Sequence, residues 1–497
     1  MRRLLAAALC LIPLAAVACG GSSSGAKSPL DDALGYLPKT APLTVAIDTD
    51  VKGDQWKSLE ANLEKLPLAG VVESSLKQSL RQSGFDYDKD IKPLLGNEFV
   101  VGAPSARSIQ GNSNDFVGAL QAKDKGKLAS VLSRSPDLTK DGSSHGATLY
   151  RSREGNEAAQ TGNVLVVART KPELIAALEQ RKRADRLTEA DFDKGLTGLS
   201  GDAIIRLSAD LRSLLNSDPT TTQARKIKWV SALRTFGLTL SSQSDGLALD
   251  FDLKIDPSGL TDADLPLASG TASPPVAAAP GEIGLGIRGL DKTIGFGESA
   301  AQAVSPASYG DFERAKAQLG KSIGVDVDRD IVGQLSGNAT VSFDTNGHYS
   351  IRAEPKDPAG FKATLAKFAR VAPSFARGAG LPGAKLTRVR GLYKLAGSNG
   401  RATYYGMVGQ VFVASNDLGR LGQMAARTPQ PVSGARGAFA TSTDVGRLLA
   451  KVIGQASGGG LGGSFGGSLV SGPIGKLTGW TSSSTSGLSG HLKLEIR

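Results

Sequence analysis

Histidine, cysteine, methionine and tryptophan are scarce in this chain of 497 residues: three, two, three and three. Both cysteines, Cys10 and Cys19, fall at the very start, so no disulfide can staple the body that follows. That body must rest on a packed core, which its length can supply. The histidines are His145, His348 and His491, with no HExxH and no cysteine ligand pair, so a zinc site would lack its usual ligands. Aromatics are 5% of the chain, which leaves core building to Ala, Leu, Val and Ile. No phosphate loop occurs, because Gly475-Lys476 runs into Leu477 and lacks the upstream glycine. Past residue 18, no apolar run reaches the roughly 20 residues of a membrane-spanning helix. The net charge of +11 is dispersed in short runs such as Arg181-Lys182-Arg183 and Arg225-Lys226-Ile227-Lys228. Dispersed charge predicts a solvated surface and no nucleic-acid partner.

What is present begins at the N-terminus. Met1-Arg2-Arg3 is a short positive segment, and residues 4–18 (LLAAALCLIPLAAVA) are apolar but too short to span a bilayer. Ala16-Val17-Ala18-Cys19 resembles a lipobox, with small residues ahead of a cysteine. That resemblance implies cleavage before Cys19 and lipidation of it, hence a lipid anchor on the extracytoplasmic side of a bacterial cell membrane. Gly20-Gly21-Ser22-Ser23-Ser24-Gly25 then predicts a flexible tether, taken here as residues 19–37.

The body is written twice. Residues 256–280 are rich in Pro, Ala and Ser and predict a linker between repeats 38–255 and 281–497. Each half opens on a candidate strand, Pro42–Asp48 or Glu282–Arg288. Each continues through a helical stretch into GFDYDKDI (84–91) or GVDVDRDI (324–331). Lys123-Asp124 and Lys356-Asp357 precede amphipathic helices. Asp210 and Asp444 open matching segments, and both halves finish on alternating strands. Hairpin signals such as Asn346-Gly347 are frequent. The expected fold class is α+β: two homologous copies of a largely antiparallel sheet unit, with helices packed on one face.

The opening LGYLPKTAPLTVAIDTD, the segment DYDKDIKPLLGNE and the late paired strands resemble the DUF3352 family of bacterial envelope proteins. The resemblance implies no activity and no defined site. Several residue patterns still call for a test. Asp86, Asp88 and Asp90, with Asp326, Asp328 and Asp330, alternate like the start of a calcium loop. The sixth-position glycine is Ile91 or Ile331, and the twelfth-position glutamate is Asn97 or Gly337, so capping turns are expected instead. Gly458, Gly460 and Gly463 fit a dinucleotide fingerprint without the helix and acid it needs. Ser464 and Ser23 fit a nucleophile elbow without the preceding strand. Trp56, Trp229 and Trp480 are expected to pack in the core or at its edge. These patterns predict one functional residue, Cys19, and no catalytic, cofactor or metal residue. The function expected is non-enzymatic binding of an envelope lipid, an anionic ligand or a partner protein. A structural spacer and an unrecognised hydrolase are the alternatives.

Overall fold

A computed structural model describes residues 28–66, 69–82, 84–110, 115–373, 383–398, 400–456 and 472–497. Cys19, Ser23, Gly458, Gly460, Gly463 and Ser464 lie outside them. The chain forms two compact units. Among the described residues, one holds 28–221, 233–254 and 496–497, and the other holds 222–232 and 255–495.

The first unit is an antiparallel sheet with helices. Its strands are β1 (Leu43–Ile47), β2 (Phe99–Ala103), β3 (Val117–Gln121), β4 (Leu138–Ser144), β5 (Ala147–Ser152), β6 (Glu157–Thr161), β7 (Val164–Ala168), β8 (Ile205–Asp210), β9 (Leu233–Gln243) and β10 (Gly246–Ile255). They run in the order β4-β5-β6-β7-β3-β2-β1-β8-β9-β10. Val164, Val166 and Ala168 join a core with Leu174, Ala177 and Leu178 of the helix Lys171–Gln180. Leu165 and Val167, on the other side of β7, pack with Leu128, Val131 and Leu132 of the helix Lys125–Arg134. Helices therefore cover both faces, where one was expected. The cause is visible in β7 itself: VLVVA is apolar at every position, as suits a strand buried on both sides.

The expected tether also ends earlier than residue 37. Ser28 caps the helix Pro29–Leu34 by accepting a bond from the Asp31 N–H at 3.0 Å. Leu30, Leu34 and Leu37 are 2%, 0% and 1% exposed, so residues 28–37 belong to the core. Their helical spacing of leucines turns one face inward.

The second unit has strands β11 (Ile283–Arg288), β12 (Asn338–Phe343), β13 (Tyr349–Ala353), β14 (Lys385–Val389), β15 (Leu392–Ala396), β16 (Ala402–Val408), β17 (Val411–Ser415), β18 (Phe439–Asp444), β19 (Ile474–Ser484) and β20 (Gly487–Ile496). Their order, β14-β15-β16-β17-β13-β12-β11-β18-β19-β20, follows that of the first sheet strand for strand. Here too both faces are covered. Phe412 meets Phe361 of the helix Pro358–Phe368 edge-on at 5.6 Å. The adjacent Val413 packs with Leu421 of the helix Leu418–Ala426. The 256–280 stretch is no free linker in its latter part. Leu265, Val276 and Ala277 are buried, and Val276 exchanges two backbone hydrogen bonds with Gln430, each 2.8 Å.

Candidate functional site

The repeated acidic segments are capping turns. Gly84 and Gly324, with φ of 82° and 62°, end the preceding helices in a left-handed conformation that favours glycine. Asp86 then accepts from the Lys89 N–H, and Asp90 accepts from the Asp86 N–H, both at 3.0 Å. Asp326 and Asp330 repeat this pair at 3.0 and 2.9 Å. A second oxygen of each later aspartate meets a guanidinium, that of Arg134 or Arg329. The Asp86 N–H and then Arg134 hold the Asp90 carboxyl below the ordinary carboxylate range, and Arg329 and then the Asp326 N–H do the same for Asp330. Among the described residues, no three His, Cys, Asp or Glu side chains gather as metal ligands.

The first unit holds a cleft of about 210 Å³ with a mixed polar and apolar lining. Lys39, Thr44 of β1, Ser208 and Asp210 of β8, Thr235 of β9 and Asp191 are among its walls. Asp191 lies in the short helix Glu189–Lys194, which Thr188 caps. The Thr188 hydroxyl donates to one Asp191 oxygen at 2.8 Å, and the Lys39 and Lys194 ammonium groups reach the other, each at 3.1 Å. The Thr188 bond, opposed by burial and helped by both lysines, brings the Asp191 pKa down to about 2. Asp210 accepts from the Ser213 N–H at 3.0 Å and so caps the next helix. Ser208 has no histidine among the lining residues. No sequence spacing pointed to this cleft, because Lys39, Asp191 and Thr235 meet only through the fold.

Two charged groupings lie elsewhere. Asp48 follows β1, and burial, eased by a 2.7 Å bond from the Asp50 N–H and reinforced by Glu98, Asp50 and Asp202, pushes its pKa up to about 6. In the second unit, Arg420 bridges Asp344 at 2.8 Å and Glu282 at 2.9 Å. His348 adds a 3.1 Å bond to Asp344. Burial would raise the Asp344 pKa, but the His348 and backbone bonds and Arg420 outweigh it and bring it down to about 2.

The other singled-out side chains pack. Trp56 is 3% exposed and donates to the Asp48 carbonyl at 3.0 Å. Trp229 meets Phe296 edge-on at 6.3 Å, and Trp480 stacks on His491 at 6.3 Å. His145 lies 3.5 Å from Glu179. The three histidines are therefore in three separate places. Among the described residues, no helix is long and apolar enough to cross a membrane.

Comparison with known proteins gives a family and little more. No curated protein matches the chain. Among solved structures, crystal form III of TP0453 is 12% identical, with a TM-score of 0.27 over 46% of this chain and 82% of that one. Crystal form I of the same protein gives 14% and 0.28 over 48% and 83%. Likeness at that level carries no argument. The model of DUF3352, a protein family of unknown function, matches residues 4–372, well over half of the sequence, and the chain belongs to that family.

Proposed function

We propose that this chain is a lipid-tethered protein on the outer side of a bacterial membrane, and that its body binds a partner and catalyses nothing. The observation that carries the second half is the state of Asp191. Of the two acids that line the cleft, Asp191 is ionised with both oxygens engaged, so it is a poor proton acceptor, and Asp210 is engaged in capping the next helix. An apolar ligand does not suit the cleft either. Ala41, Leu187 and Phe192 share its walls with charged side chains, and at about 210 Å³ it is smaller than the roughly 300–1,000 Å³ of ligand pockets. Our reading puts the binding on the outer surface.

The tether reading draws on Cys19 and on its distance from the first described helix. Ser28, which caps the first described helix, follows Cys19 by nine residues, a reach of at most about 30 Å. We also read the common strand order of the two sheets as two copies of one unit. The test is Cys19→Ser with radiolabelled palmitate and cell fractionation. The wild-type chain takes up label and stays with membranes. The variant takes up none and accumulates with the signal attached. An unlabelled wild-type chain refutes the tether.

A further inference from the structure

Between Asp357 and Asp417 lie 59 residues with nine Lys or Arg and no Asp or Glu. The β14–β15 hairpin stands within this stretch and displays Lys385, Arg388, Arg390 and Lys394. Arg388 lies over the Tyr393 ring at 5.1 Å and Lys394 over Tyr404 at 5.7 Å, so both cations rest on aromatic faces. Among the described residues, no carboxylate pairs with any of the four. The strands at the same place in the first sheet are different. There Arg151 pairs with Glu157 at 2.7 Å and Lys171 with Asp141 at 2.9 Å, and a register shift between Lys140 and Ser143 bends the outer strand β4. Such a bulge blunts an edge.

Among the described residues, strand β14 pairs only with β15, in unbroken register from Lys385↔Ala396 to Val389↔Leu392. The two-residue turn between them has Arg390 at φ 53° and Gly391 at φ 81°, the positive pair of a tight hairpin. Val389 and Leu392 are then a hydrogen-bonded pair, and alternation leaves Leu386 and Arg388 with N–H and C=O groups turned away from β15. Lipid headgroups have no use for alternating donors and acceptors, whereas a peptide backbone matches them. Edge cations repel another basic edge but attract one that carries carboxylates.

We propose that β14 receives an extended acidic segment of a partner protein as an added strand. Its backbone bonds to Leu386 and Arg388, and its carboxylates meet Lys385, Arg388, Arg390 and Lys394. This names the partner class within the binding reading and is independent of the tether, so the Cys19 result neither supports nor harms it.

The test uses the full chain purified in neutral detergent. One probe is a fluorescent nine-residue peptide of alternating Glu and Thr. A second is the same peptide N-methylated at alternate residues, which keeps the charge and removes backbone donors. A third is neutral micelles doped with phosphatidylglycerol. The first peptide binds, and N-methylation weakens it at least about tenfold. Leu386→Pro removes an outward N–H while sparing the ladder to β15, and it weakens binding similarly with the melting temperature preserved. Arg388→Glu weakens it as well. Equal binding of the methylated peptide, or binding of the doped micelles but of neither peptide, overturns the added strand. So does absence of binding to any probe.

Discussion

Asp48 sits just past β1 with its carboxyl half-buried beside three other acids, which is why its pKa rises to about 6. The sign follows from the direction. At pH below about 3.8 the group is neutral in both folded and unfolded chains and costs nothing. As pH rises toward 6 the unfolded chain ionises it freely while the folded chain resists, so stability is lost over that window. The expected penalty at neutral pH, discounted for partial exposure, is on the order of 1–2 kcal/mol. Asn keeps the oxygen that accepts from the Asp50 N–H. Asp48→Asn should therefore stabilise the chain by about that amount at pH 7.5 and leave it unchanged near pH 3.5. Urea unfolding at the two pH values checks this, and a gap independent of pH would show that ionisation is not the cause.

Strand β11 illustrates an element whose composition was legible while its role was not. Alternation in IGLGIR predicted a strand, and the strand is there. What spacing did not reveal is why two of its positions are glycine. A Cβ on Gly284 would meet Ala278 Cβ at 2.6 Å and Val276 Cγ1 at 2.7 Å, because the 274–278 segment lies directly on that face. The segment's Pro and Ala content suggested a linker, but composition does not report what a segment rests upon. Gly295, inside the helix Leu290–Val304, has no atom within 4 Å of the same hypothetical Cβ. One substitution should thus have opposite signs. Gly284→Ala is expected to cost about 1–3 kcal/mol through overpacking, and Gly295→Ala to add about 0.5–1 kcal/mol through helix propensity. Differential scanning calorimetry of both variants decides it, and two shifts of the same sign would contradict the packing. The helices after Asp124 and Asp357 were legible from their local apolar spacing, and in the structure both aspartates cap them. The covered faces of β7 and the Lys39–Asp191 pair were not, since each depends on partners far away in sequence.

At the scale of the molecule, sequence and packing divide the chain differently. The composition break at 256–280 suggests a cut that would yield two independent halves. Yet residues 222–232 precede that break and belong to the second unit, while residues 496–497 follow it and belong to the first. The crossings have identifiable anchors. Trp229 packs against Phe296, and Lys228 pairs with Asp264 at 3.5 Å. Lys65 donates to the Ile496 carbonyl at 3.1 Å. A protease site inserted at the exposed turn Pro257–Gly259 should therefore be cut without releasing two folded bodies. The two pieces should elute together on size-exclusion chromatography in native buffer and separate only in denaturant, because each unit is built from residues on both sides of the cut. Removing the Trp229 ring by Trp229→Ala, which leaves a void against Phe296, should lower the denaturant concentration at which the nicked pieces part. If the nicked chain instead resolved at once into two stable monomers, the composition break would be the true boundary and the crossings would be incidental.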